Sequence, residues 1–229
     1  MADAGIASRR ECENYIASGR VSVNGKTVRE MGTKVNPITD EVQVDGQTIE
    51  PYLSRTYLAF HKPRGILSTM FDPEGRASIG DFFSESKDRI FHVGRLDKES
   101  EGLILLTNDG DWANSVSHPS NEVIKTYQVL VAERVSPDTL KRIRSGVQLS
   151  DGLVRASRVV AIPGGFEIDI HEGRNQIVRR LAGALDLTVI RLVRVQVGRI
   201  RLGELPVGKS RNLSDVEVIS FLNHKLSNR

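Results

Sequence analysis

The stretch HVGRLDKESEGLILLTNDG, residues 92–110, constrains the fold more than any other part of the chain. At its centre is an apolar run, Leu103 to Leu106, that closes on the turn Asn108-Asp109-Gly110. A short continuous run bounded by turn residues reads as a buried strand. Ahead of it a Gly-flanked turn carries Arg95 and Asp97, two residues apart. A carboxylate on such a loop can meet a ligand while the strand beneath keeps it still. Arg95, or another guanidinium nearby, would keep that carboxylate ionised. A bare R-x-D triplet usually marks a structural ion pair, so the reading rests on the whole string.

The rest of the chain bounds the class of protein. At 229 residues, with 39% hydrophobic and 27% charged side chains, it can hold one sizeable domain and a small one. The single cysteine, Cys12, excludes an intrachain disulfide and reads as packing. No apolar stretch reaches the roughly 18–20 residues needed to span a bilayer, and MADAGIASRRE has no signal-peptide pattern. A cytoplasmic, monomeric protein without a membrane partner is expected. His92 and His118 have no companions at metal-ligand spacing, so no metal and no cofactor is assigned.

Local signals place the elements. Residues 8–19 read as a helix, with Ser8 and Glu11 as a capping box and Gly19 as the stop. Alternating valines around Asn24-Gly25 predict a hairpin over 20–28, and a second strand pair is expected at 41–44 and 48–49 around Asp45-Gly46. Residues 50–56, with Pro51, read as a linker. Beyond it strands are expected at 57–61, 103–107, 125–132, 153–162, 166–171 and 188–202. Helices are expected at 78–84, 110–117, 136–145, 174–185 and 215–223. With no regular βαβ repeat and no Gly-rich nucleotide loop, this is an α+β protein on a mostly antiparallel sheet.

Net charge is +3, but it is unevenly spread. Residues 171–211 hold nine Lys or Arg against three acids. Arg191, Arg194, Arg199 and Arg201 alternate with Val, Leu and Ile, as expected of a strand pair with one cationic face. Phosphate is the natural counterpart of such a face.

The string from 92 to 110 closely resembles the GRLD signature of pseudouridine synthases, in the RsuA-type form that acts on ribosomal RNA, with Ser100 where Thr is usual. AGIASRRECENYIASGRVSVNGKTV, near the N-terminus, resembles an S4 domain, a small RNA-binding module. The resemblance implies an S4-like domain at 1–49 and a pseudouridine synthase domain at 57–229, joined by 50–56. S4 domains normally open with a helix before the AGIASRR segment, and this chain starts almost inside it. Ser8, Arg9, Arg10, Arg20 and Lys26 are the implied RNA contacts of the small domain. Residues 1–49 carry six basic and seven acidic side chains, so RNA must meet a local patch.

Isomerising uridine requires a carboxylate beside sugar and base, a flat partner for the uracil, and a site that keeps the freed base. By resemblance Asp97 is the catalytic acid; sequence leaves open whether it attacks C1′, adds to C6 or assists glycal formation. Tyr127, thirty residues on in Lys125-Thr126-Tyr127, is implied to stack on the uracil and to help remove the C5 proton, with Lys125 on phosphate. Arg179 is implied to pair with Asp97, and Val178 to wall the uracil pocket. His61-Lys62-Pro63-Arg64-Gly65 resembles the family's K-P-x-G strand end, which makes Lys62 a substrate-side candidate along with Arg95. Arg174 and Arg180 are RNA-facing or structural, and the role of Gln176, in Arg-Asn-Gln-Ile, is open. Glu99 and Glu101 read as solvated or structural, since neighbours on one loop cannot flank a scissile bond as a glycosidase pair does.

The implied function is conversion of uridine to pseudouridine in ribosomal RNA, free or in a pre-ribosomal particle, with 23S slightly favoured over 16S. The alternative is a non-catalytic RNA-binding ribosome-assembly factor, and a glycoside hydrolase using Asp97 and Glu101 is a distant third.

Overall fold

The computed structural model describes residues 1–36, 38–50, 54–86 and 88–222. In its first part, α1 (Arg9–Ala17) starts at Ser8, whose Oγ accepts the Glu11 amide at 3.2 Å. The Glu11 carboxylate accepts from the Tyr15 hydroxyl at 3.5 Å. The helix stops where Gly19 adopts φ 74°, its amide bonding the Ile16 carbonyl at 2.9 Å and the Arg20 amide the Tyr15 carbonyl at 3.0 Å. Cys12 is buried, its thiol 3.6 Å from the Ala7 carbonyl, and packs as the sequence suggests. Beside the helix lie β1 (Val21–Val23), β2 (Lys26–Val28), β3 (Val42–Val44) and β4 (Gln47–Thr48), an antiparallel sheet in the order β2-β1-β3-β4. Both hairpin turns have two residues at positive φ, Asn24-Gly25 (50° and 75°) and Asp45-Gly46 (50° and 79°). That is the type I′ geometry, whose twist matches the flanking strands.

The larger part is built on one mixed sheet. Its strands are β5 (Tyr57–Lys62), β6 (Phe91–Val93), β7 (Glu101–Thr107) and β8 (Lys125–Val131), then, after a separate hairpin of β9 (Val147–Leu149) and β10 (Gly152–Val154), β11 (Arg158–Ile162), β12 (Gly165–Ile170), β13 (Val189–Val197), β14 (Ile200–Arg201) and β15 (Ser210–Asn212). The order is β11-β12-β8-β13-β7-β5-β15, with β14 on β13 and β6 on β7. All pairs are antiparallel except β13 with β7. The helices are α2 (Gly110–Ser117), α3 (Pro137–Ser145), α4 (Ile177–Gly183) and α5 (Asp215–Ile219), and Ile79–Phe83 forms a 3-10 turn.

β7 is the spine. Every residue from Glu101 to Thr107 is buried. Leu103 and Leu105 pack with Ala59 and Trp112 on one side, while Ile104 and Leu106 pack with Phe60 and Ile79 on the other. This is why the run shows no polar alternation. Directly after it Asp109 caps α2, its Oδ1 accepting the amides of Asp111 and Trp112 at 3.0 Å each. Gly102 sits at φ 109°, and a Cβ there would lie 2.4 Å from the Arg194 carbonyl oxygen. The parallel register, which sets Glu101 and Gly102 against Val193 and Arg194, therefore requires glycine at this position.

Some expected elements divide. The strand expected over 153–162 is two, since β10 pairs back on β9 while β11 joins β12. The span 188–202 is a hairpin turning at Gly198 (φ 55°). The helix expected from 174 starts at Ile177, because Gln176 adopts φ 48°. The last helix ends at Ile219, and residue 223 lies outside the described residues, as do 51–53 in the expected linker. β6 and β15, three residues each, are too short to stand out in the sequence.

Candidate active site

The loop from Arg95 to Ser100 joins β6 to β7, and buried or half-buried cations hold its backbone from beneath. Lys62, at the end of β5, is fully buried, and its ammonium donates to the carbonyls of Pro63 (2.9 Å), Asp97 (3.3 Å) and Ser100 (2.8 Å). Arg194, on β13 and also buried, donates through Nε to the Leu103 carbonyl at 2.7 Å and through Nη1 to the Arg95 carbonyl at 3.3 Å. Arg179, on α4, donates through Nη2 to the Glu99 carbonyl at 2.7 Å. Carbonyls of residues 95, 97, 99, 100 and 103 thus all face a cationic donor. Such charge-assisted bonds are the stronger kind and fix the loop that carries Asp97.

The acids of the loop separate by environment. Glu99 pairs with Arg64 at 2.8 Å, and Glu101 is buried and bonded to Arg191. The Arg64 bond, opposed by some desolvation, holds the Glu99 carboxyl below the usual carboxylate range. The half-buried Asp97 has no ion-pair partner within 4 Å among the described residues, and it lines an open cleft of about 760 Å³. Tyr127, Lys125, Val178, Arg95 and Arg174 line the same cleft, together with the rest of the 172–177 segment and Leu67, Ser68, Thr69, Phe71 and Asp72. That volume falls in the range of small-ligand pockets. Val178 is buried and contributes an aliphatic wall. Lys125 donates to the His171 carbonyl at 3.4 Å, and burial, reinforced by the nearby Arg194, lowers its pKa.

Three of the sequence expectations are corrected here. Lys62 cannot touch a substrate: it has no exposed surface, because three carbonyls converge on its ammonium. Burial depresses its pKa to about 8 against the opposing pull of Asp97. Arg191 and Arg194 do not share a face. They are three apart on a strand, so successive side chains point to opposite sides. Arg191 stays exposed and pairs with Glu101, while Arg194 is buried under the Asp97 loop. Arg179 makes no ion pair with Asp97 within 4 Å among the described residues; its donor goes to the Glu99 carbonyl, and its Nε is buried without a partner.

Other candidates are placed as follows. Arg174 bonds Glu172 (2.6 Å) and Asp151 (2.9 Å), and Arg180 also bonds Asp151 (2.8 Å), so the first ties the β9–β10 hairpin to the segment before α4 and the second ties it to α4 itself. In the small domain Ser8 is spent as the helix cap. Arg20 forks onto Asp45, and its guanidinium lies 4.1 Å from the centre of the Tyr15 ring. Arg9, Arg10 and Lys26 are exposed, with no charged partner among the described residues. Arg194, read in the sequence as part of a phosphate-facing stripe, instead braces the Asp97 loop from the core, and its odd spacing from Arg191 was the available signal. Among the described residues no group of three or more His, Cys, Asp or Glu could hold a metal, and no helix is long and apolar enough to cross a membrane.

Asp97 and Tyr127 line one open cleft of the sheet, which follows a small module whose Arg9, Arg10 and Lys26 are exposed. The sequence profile of RNA pseudouridylate synthases matches residues 56–184, and that of the S4 domain matches residues 1–42. An uncharacterized RNA pseudouridine synthase of Aquifex aeolicus is 42% identical over 224 residues, covering 95% of this chain and 90% of that protein. The ribosomal large subunit pseudouridine synthase B of Bacillus subtilis is 37% identical over 225 residues, covering 95% of this chain and 91% of that protein. A crystal structure of a pseudouridylate synthase superimposes with a TM-score of 0.71 at 25% identity, covering 96% of this chain and 95% of the other. The chain belongs to the RNA pseudouridylate synthase family and carries an S4 domain ahead of its catalytic part. It is an isomerase.

Proposed function

We propose that the protein converts a specific uridine of large-subunit ribosomal RNA to pseudouridine, as a cytoplasmic monomer, with Asp97 as the catalytic carboxylate. The observation that carries this reading is the single cleft that Asp97, Tyr127 and Val178 share. The large-subunit assignment is supported by relatives of that name in Bacillus subtilis and Haemophilus influenzae, the second 40% identical over 236 residues. The reaction breaks the N1–C1′ bond and forms C5–C1′; the C5 proton leaves and N1, freed from the sugar, takes one up. Product and substrate are isomers, so the chemistry calls for no net electron acceptor, and no cofactor enters the scheme.

Each residue has a part in this scheme. Asp97 works at the sugar or base while its loop is held by Lys62, Arg194 and Arg179. Tyr127 offers its ring to the uracil and its hydroxyl to the C5 proton. Val178 closes the pocket on the base, and Arg95 and Lys125 meet the flanking phosphates. Flipping the uridine out of its stack costs a few kcal/mol, which phosphate contacts at the cleft and at Arg9, Arg10 and Lys26 offset.

The test is single-turnover pseudouridine formation on transcribed ribosomal RNA, with the modified position mapped by chemical labelling and primer extension. Conversion of one uridine in 23S RNA is expected; conversion confined to 16S or transfer RNA refutes the substrate assignment. Tyr127→Phe keeps the ring and should slow conversion about 10²- to 10⁴-fold if the hydroxyl moves the C5 proton. An unchanged rate removes that hydroxyl from the mechanism. Arg9→Ala with Arg10→Ala should lower the slope of log affinity against log salt by about 1 to 2. An unaltered slope means that this end of α1 does not touch phosphate.

A further inference from the structure

The rim of the cleft carries a ring that the scheme above does not use. Phe71 lines the cleft and is 77% exposed, whereas Phe60, Trp112 and Phe166 are buried in the core. The loop holding it is firmly set. Thr69 Oγ1 donates to the Phe71 carbonyl at 2.7 Å and accepts its amide at 3.3 Å. Asp72 receives the Arg76 guanidinium at 2.8 and 3.1 Å and the Arg76 amide at 2.9 Å.

Two further contacts register this loop to the catalytic one. Ser68 Oγ donates to the Leu96 carbonyl at 2.7 Å and accepts the Leu96 amide at 3.1 Å, one residue from Asp97. Behind it the Met70 carbonyl oxygen sits where a Cβ on Gly80 would come within 1.9 Å, so the loop lies directly on the 3-10 turn. Arg76 is turned onto Asp72 and Glu74, which leaves the phenyl ring presented without a competing cation from its own loop.

We propose that Phe71 is a stacking platform for a base flanking the target uridine, a specificity and positioning element that holds the RNA open while the uridine occupies the cleft. This rests on the reading of the cleft as a uridine site. Withdrawing one nucleotide from a stack bares the faces of its neighbours, and any base can settle on an aromatic ring. A ring already held in place covers one of those faces without first having to be ordered. Arg95 and Lys98, exposed on the same cleft, are placed to take the phosphates on either side.

The test uses the full-length protein and a ribosomal RNA fragment that the wild type converts. Phe71→Ala should lower kcat/KM by about 5- to 100-fold, the range base–aromatic stacking commands, with an unchanged melting temperature because the side chain is exposed. Phe71→Trp should restore the rate, and its added fluorescence should be quenched on RNA binding, against the steady background of the buried Trp112. A wild-type rate for Phe71→Ala, or an unquenched Phe71→Trp at saturating RNA, overturns the proposal. If the wild type converts no RNA fragment, the functional reading fails instead, and the Phe71→Trp quench still decides whether the ring meets a base.

Discussion

Asp97→Asn is expected to reduce pseudouridine formation by roughly 10⁴-fold, the scale on which removing a group that acts directly on the reacting atoms is felt. The substitution is nearly isosteric and takes away charge without bulk. The loop should not move, because Lys62 and Ser100 bind the backbone carbonyl of Asp97 and not its side chain. RNA affinity should stay near wild type or tighten slightly, since a negative charge is lost from a surface that receives phosphate. Activity and binding therefore separate in one variant. Glu99→Gln and Glu101→Gln serve as contrasts, because each acid already faces an arginine outside the reaction. Retained conversion by Asp97→Asn would remove the carboxylate from the mechanism and leave the cleft as a binding surface.

Much of this site was legible in the chain, where the governing interactions are local. The run from Leu103 to Leu106 and the turn after it define β7 and the cap of α2 from neighbouring residues alone. Asn24-Gly25 and Asp45-Gly46 specify their own turns through positive φ. Resemblance then brought Asp97, Tyr127 and Val178 to one place, and the cleft contains all three. What could not be read were the long-range electrostatic partners. Nothing near Lys62 says that carbonyls more than thirty residues away will close over its ammonium. Asp151 likewise lies in a distant hairpin, yet it takes up both Arg174 and Arg180. Arg194 is a different case. Strand parity already set it apart from Arg191, and the bulge between Arg194 and Gln196 confirms that the cationic run does not form one continuous stripe.

Lys62→Met is expected to cut the rate about 100-fold, because the lysine positions the Asp97 loop and does not touch the substrate. Burying an ammonium costs several kcal/mol, and its bonds to Pro63, Asp97 and Ser100, at about 1.5–3 kcal/mol each, offset that cost. Methionine keeps the volume and removes the buried charge, but it leaves the carbonyls that the ammonium served without that donor. The loop then loses the donor that fixes two of its carbonyls, and a displacement of about 1 Å at a reacting group is worth roughly 10² in rate. The loss should fall on kcat, with KM little changed. Titration provides a second readout. Lys62 has a folded-state pKa of about 8, below its ordinary 10.5, so between those values the folded chain has released a proton that the unfolded chain still holds. Stability from this group therefore rises with pH across that window, while activity falls as the neutral amine, left with two donors, can no longer serve three carbonyls. Opposite slopes of melting temperature and kcat above about pH 8 are the expected signature, read on a substrate RNA whose own uridine ionisation is followed in parallel. A kcat for Lys62→Met equal to wild type, with the alkaline limb intact, would show that the ammonium plays no part in holding Asp97.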